Sequence, residues 1–131
     1  LMNCLDTSTV IHFLRGDEET VRRVGYLQKS GTISITTLTL CELYKGSFLS
    51  QKTEQDLKMI NNFVKELNVL TLENKSCREF GEQYAKLEKA GKRAQELDLM
   101  IGCITKVNNL TLITRDKKDF LNIEGLKLEV W

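Results

Sequence analysis

The sequence predicts an α/β fold in which a parallel sheet of about five strands is covered by helices on both faces. Short apolar runs alternate along the chain with segments whose apolar residues recur at helical spacing, the pattern of successive strand–helix units. No proline, low-complexity tract or internal repeat interrupts that alternation. A chain of 131 residues that is 41% hydrophobic can bury a core as one domain over residues 1–131, without disulfides or a structural metal.

Taken in order, the run Met2 to Leu5 reads as a strand and ends at Asp6-Thr7-Ser8, residues that favour helix N-termini. Val10, Ile11, Phe13 and Leu14 then continue as a helix. A second helix is expected over Glu18 to Lys29, broken by Gly31 before a strand at Thr32 to Ile35. Thr36 and Thr37 offer caps for a helix carrying Leu38, Cys41, Glu42 and Lys45. Thr53 with Asp56 resembles a capping box ahead of Leu57, Ile60, Val64 and Leu67, and a strand follows at Val69 to Leu72. Cys77, Phe80, Tyr84 and Leu87 form one stripe of the next helix, which Gly91 is suited to end. The segment Gln95 to Val107 is apolar on most sides, so it is predicted to be central and buried. Leu110 to Thr114 is a strand ending in Arg115-Asp116, and a last strand is expected near Leu126 to Val130.

Composition narrows the chemistry. Cys4, Cys41, Cys77 and Cys103 are widely spaced inside apolar patterns, with no C-x-x-C pair, and are expected as buried free thiols. The single histidine, His12, is read as structural and makes a His/Cys zinc site improbable. A net charge of +1 gives no global basic field, though an acidic site and a basic rim cancel in such a total. No apolar stretch is long enough for a membrane span, and Leu1 to Asp6 lacks the basic flank and apolar run of a signal peptide, so a cytoplasmic location is expected.

Whatever chemistry occurs must therefore lean on carboxylates. In open parallel sheets ligands bind beyond the carboxyl ends of the strands. Asp6 and Asp116 follow strands and Glu42 sits just inside the helix after one, so three acids share an edge. Close like charges repel by roughly 1 to 4 kcal/mol per pair, and a divalent cation is the usual compensation. An all-oxygen donor set suits Mg²⁺ (or Mn²⁺) better than zinc. Each acid has a structural reading too: Asp6 as a cap, Glu42 as a solvated helix residue, Asp116 and Asp119 as turn and cap. Asp98 is the hardest to read that way, because among Leu97, Leu99, Met100 and Ile101 it would be partly buried, and it needs a partner. The hydroxyls of Ser8 and Thr114 are placed to orient a ligand or water, or to serve as cap and strand residues. Lys45, Arg93, Arg115 and Lys117, with Lys92 and Lys118, lie near the acids and could contact phosphates, although each also suits a solvated surface.

At this point the residues resemble a known family. Leu5-Asp6-Thr7-Ser8, Leu40-Cys41-Glu42-Leu43-Tyr44-Lys45-Gly46, Asp98-Leu99-Met100-Ile101-Gly102 and Thr114-Arg115-Asp116-Lys117-Lys118-Asp119-Phe120 are similar to the four signature blocks of PIN-domain proteins, specifically the VapC-like toxin ribonucleases. The resemblance spans nearly the whole chain and implies a Rossmann-like three-layer α/β/α fold. It places the metal ligands at Asp6, Glu42, Asp98 and Asp116, with Asp119 nearby. Position 102 is Gly where the family often has Ala, and either small residue lets the helix pack closely. The implied activity is metal-dependent endonucleolytic hydrolysis of RNA, leaving 5′-phosphate and 3′-hydroxyl ends. The implied partners are an RNA substrate, a VapB-like antitoxin whose segment blocks the cleft, and a second copy in a homodimer. A phosphatase of the haloacid-dehalogenase kind would want a second aspartate two residues after Asp6, where this chain has Ser8. A PIN-like binding module without cleavage is the other alternative, and retention of all four acids speaks against it.

Overall fold

The computed structural model describes residues 3–131, so Met2 of the first expected strand lies outside the described residues. The strands are β1 (Asn3–Leu5), β2 (Ile33–Thr36), β3 (Asn68–Leu70), β4 (Thr111–Thr114) and β5 (Lys127–Val130). The helices are α1 (Thr7–Leu14), α2 (Glu18–Ser30), α3 (Thr37–Leu49), α4 (Thr53–Val64), α5 (Asn74–Lys89), α6 (Glu96–Val107) and the single turn α7 (Lys117–Phe120). The five strands form one parallel sheet in the order β3-β2-β1-β4-β5.

Because side chains alternate across a strand, the two faces of the sheet feed two cores. Cys4 and Leu112 join Leu87, Leu99, Ile101, Cys103 and Phe120 on the face covered by α5, α6 and α7. Their neighbours Leu5 and Ile113 join Val10, Val24, Leu43, Ile60 and Phe63 on the face covered by α1 to α4. This is the expected three-layer α/β/α arrangement. Each fully buried Leu or Ile contributes roughly 1.5–3 kcal/mol through removal from water.

Several local readings need correction. Thr53 does not cap α4: its hydroxyl donates to the Ser50 carbonyl, and the N-cap Lys52 makes no side-chain cap bond. The buried face of α5 runs through Ser76, Gln83 and Leu87, with Phe80 against the core, while Cys77 is exposed and Tyr84 retains 41% of its accessible surface. Gln83 takes the inner position because its amide bonds both ways with the Glu124 backbone, donating to the carbonyl at 2.8 Å and accepting from the N–H at 3.1 Å. Cys41 is exposed too, so only Cys4 and Cys103 are buried thiols.

Gly91 ends α5 as expected. At φ 67° it sits in the left-handed region, and N–H groups of Gly91 and Lys92 reach back to the carbonyls of Glu88 and Leu87. Gly102 matters for packing: a Cβ there would lie 2.4 Å from Cδ1 of the buried Ile123, so alanine fits only if Ile123 shifts.

The topology sets the site. β1 lies at the centre with β2 on one side and β4 on the other, so connections leave it in opposite directions and a crevice opens beyond the carboxyl edge. α6 leads into β4, which runs parallel to its neighbours, so the N-terminal turn of α6 returns to that same edge.

Candidate active site

Asp6 ends β1 and caps α1, with only 3% of its surface exposed. Its Oδ1 accepts the Thr9 backbone N–H at 2.9 Å and its Oδ2 accepts the Thr114 hydroxyl at 2.5 Å. The cap and the site are therefore one arrangement: the bonds that start α1 also fix the carboxylate. Burial pushes the Asp6 carboxyl up, the Thr114 and Thr9 bonds draw it down, and the charge of Asp116 adds a smaller push upward.

Thr114 links two acids, because its oxygen also accepts the Asp116 backbone N–H at 2.9 Å. Asp116 follows β4, opens α7 and is exposed.

Glu42, half-buried in the second turn of α3, accepts a 2.6 Å hydrogen bond at Oε1 from the Thr7 hydroxyl. Thr7 lies 3.0 Å from the Thr39 hydroxyl, and the Thr39 backbone N–H is in turn capped by Thr36 at the end of β2. A ladder of hydroxyls thus ties the head of α1 to the head of α3. The sequence reading missed Thr7 and Thr39: Thr7 was read only as favouring a helix N-terminus, and the threonine-rich stretch from Thr36 to Thr39 was the signal for the other.

Asp98 stands in the first turn of α6, half-buried, and no side chain among the described residues donates a hydrogen bond to it or pairs with it. Burial, followed by the charges of Asp119, Glu42, Asp6 and Asp116, pushes its carboxyl up to about 6. Four other carboxylates are thus near enough to act on Asp98. Among the described residues not one of the five forms a salt bridge, although the chain carries 19 lysines and arginines. Asp119, given a marginal place by the sequence, heads those charges.

The other expected residues are placed as follows. Ser8 presents its carbonyl to His12 Nδ1 at 2.8 Å, and its hydroxyl bonds to no carboxylate among the described residues. Arg115 points to the head of α2, where it lies 3.7 Å from Asp17 and donates to Thr20 at 3.3 Å. Lys45, Arg93 and Lys117 are exposed on α3, on the α5–α6 loop and on α7, without ion pairs among the described residues. A groove between α1, α3 and α4 opens onto Glu42, walled by Ile11, Leu14, Leu43, Met59 and Ile60.

The donor set can be tested against a metal on these observations. The acids influence one another, yet among the described residues no three are drawn close enough to enclose an ion as a cage. Mg²⁺ asks for no cage: it takes one or two carboxylates, keeps several waters and accepts substrate phosphate. Cys4, directly before Leu5 and Asp6, has its thiol pushed up to about 12 by burial, so it supplies no thiolate to a softer ion. The site fits a hard divalent cation.

Comparison with known proteins adds a family. A model of the PIN domain matches residues 4–126, a span that holds all five acids. Ribonuclease VapC1 of Haemophilus influenzae (strain R2866) is 30% identical over 128 residues, 97% of this chain and 96% of that protein. The tRNA(fMet)-specific endonuclease VapC of Shigella flexneri is 29% identical over 127 residues, with the same coverage of each chain. Among solved structures, VapBC2 from Rickettsia felis, bound to a DNA fragment from its promoter, superposes with a TM-score of 0.93 at 28% identity, covering 100% of this chain and 99% of that one.

Proposed function

The chain belongs to the PIN domain family, and from that premise we propose that it is a divalent-metal-dependent endoribonuclease, the toxin of a VapBC-type toxin–antitoxin pair. The observation that carries this reading is the convergence of Asp6, Glu42, Asp98, Asp116 and Asp119 without a single paired cation among the described residues.

Asp6 and Asp98 would ligate Mg²⁺ or Mn²⁺ directly, and Glu42 and Asp116 would hold metal-bound waters or a second ion. When bound, the ion supplies Lewis acidity, making water a nucleophile near neutral pH and offsetting charge on the phosphate. The protein's own groups divide the remaining work. Asp6, fixed by Thr9 and Thr114, and Glu42, fixed by Thr7, are anchored acids that set the position of the site. Asp98 has no fixed partner, so its carboxylate is free to meet the cation. Asp116 and Asp119 are exposed at the mouth, and Lys45, Arg93 and Lys117 would steady flanking phosphates.

The apolar groove that ends at Glu42 is the proposed seat of the antitoxin segment, since a chain lying there covers one of the acids. Met59→Lys, on an already half-exposed wall, should weaken capture of the protein encoded beside this gene while leaving RNA cleavage unchanged. A homodimer, a single domain over residues 1–131 and a cytoplasmic location complete the proposal; no helix among the described residues is long and apolar enough to cross a membrane. Incubation with transfer RNA and total RNA, with Mg²⁺ and then with EDTA, tests the activity. Cleavage that stops with EDTA supports it, and intact RNA under both conditions contradicts it.

A further inference from the structure

Between the end of α5 and the start of α6 lies a cavity of about 330 Å³ lined by Tyr84, Leu87, Glu88, Lys92, Arg93, Ala94 and Glu96. That volume is within the range of small-ligand sites, roughly 300–1,000 Å³. Tyr84 keeps 41% of its surface exposed and packs against Phe80, with ring centroids 5.9 Å apart and the rings tilted by 35°. Glu88, Lys92, Arg93 and Glu96 are exposed, and among the described residues their side chains form no ion pair or hydrogen bond. Two cations and two carboxylates thus share the cavity with an aromatic ring and leave one another unpaired.

The cavity reaches α6 at Glu96, in the same first turn that carries Asp98. Glu96 and Asp98 stand two positions apart on different sides of α6, their Cα atoms about 5–6 Å apart by helix geometry, a span that one RNA strand rounding the head of the helix can cover. The bonds from Gly91 and Lys92 back to α5 hold the basic end of the loop in place.

We infer that this cavity is a nucleobase subsite of the ribonuclease, in which a purine, guanine above all, stacks on Tyr84 beside the cleavage site. The inference rests on the endoribonuclease reading and names part of its substrate. Carboxylates repel a phosphate from the interior but accept hydrogen bonds from base N–H groups, and guanine offers two adjacent donors, N1–H and the 2-amino group, to a single carboxylate of Glu88 or Glu96. Lys92 and Arg93 at the rim then take the flanking phosphate. One carboxylate of the cavity and both of its cations thus gain a partner in this arrangement.

The test uses short single-stranded RNAs that vary one base at a time around the cut, compared for the wild type, Tyr84→Leu and Tyr84→Phe. Tyr84→Leu should lower kcat/KM by about 5- to 150-fold through KM, the range expected for loss of one base–aromatic stack, and flatten the base preference. Tyr84→Phe should keep both, and Mg²⁺ affinity and Tm should match the wild type in each. Replacing the preferred guanine by inosine, which lacks the 2-amino group, should cost the wild type far more than the Glu88→Gln/Glu96→Gln double variant. Unchanged kcat/KM and preference in Tyr84→Leu overturn the subsite while leaving the nuclease reading intact. If the wild type cleaves no RNA, the nuclease reading fails instead, and anisotropy with the same RNAs on Asp98→Asn decides the subsite: equal affinity with and without Tyr84→Leu overturns it.

Discussion

A carboxyl whose pKa rises on folding takes up protons that the unfolded chain does not hold, so its favourable contribution is present at low pH and is lost as pH climbs through the folded value. Asp98, pushed up to about 6 by burial and then by four neighbouring acids, behaves this way, and Asp6 shifts in the same direction. The metal-free protein should therefore lose stability between about pH 4 and pH 7, and calorimetry should show Mg²⁺ raising Tm more at pH 7 than at pH 5. Asp98→Asn should remove much of that pH dependence, raise the metal-free Tm at pH 7 and still lose at least about 100-fold in cleavage, beyond the roughly 10- to 100-fold typical of groups that only support a ligand. Thr7 is such a supporting group. Thr7→Val frees Glu42 and should cost about 10- to 100-fold in activity or metal affinity, whereas Thr7→Ser, which keeps the hydroxyl, should retain most of both. An equal loss in both variants would assign Thr7 to packing alone.

Helix α6 is the element that carries Asp98 to the sheet edge, and Gly102 is what lets it lie against Ile123. Gly102→Val should destabilise the protein by about 1–3 kcal/mol through overpacking, measured by chemical denaturation. At this scale the sequence was most readable where one physical cause dominated. The long apolar surface of α6 could only be a buried helix, and Asp6, Thr36 and Gly91 marked boundaries through backbone bonds that their side chains or conformations make in the structure. It was least readable where a tertiary contact outweighed hydropathy. Gln83 displaced Tyr84 from the inner face of α5 because the Glu124 backbone both accepts from and donates to its amide, and that contact is 41 positions away in the chain. Thr53 was misread because a hydroxyl at a helix start has more than one carbonyl or N–H within reach.

For the molecule as a whole, a net charge of +1 conceals a local excess of negative charge, because unpaired carboxylates act on one another beyond the sheet. The strand order explains why acids at positions 6, 42, 98 and 116 meet, since β1, β2 and β4 are adjacent and α6 feeds β4. That convergence was legible from the strand–helix alternation for three of the acids. The place of Asp98 followed from its family resemblance and from the cost of its burial, because no spacing rule gives the direction of α6 before the sheet is known to be parallel. The Thr7–Glu42 bond, between residues 35 apart, needed the fold. Everything proposed for the site depends on these acids holding a divalent ion with which the protein hydrolyses RNA. Mapping the ends of transfer-RNA fragments made with Mg²⁺ and with EDTA tests it directly. The account predicts 5′-phosphate and 3′-hydroxyl ends with Mg²⁺ and no cleavage with EDTA; cleavage that persists in EDTA and leaves cyclic phosphates would contradict it.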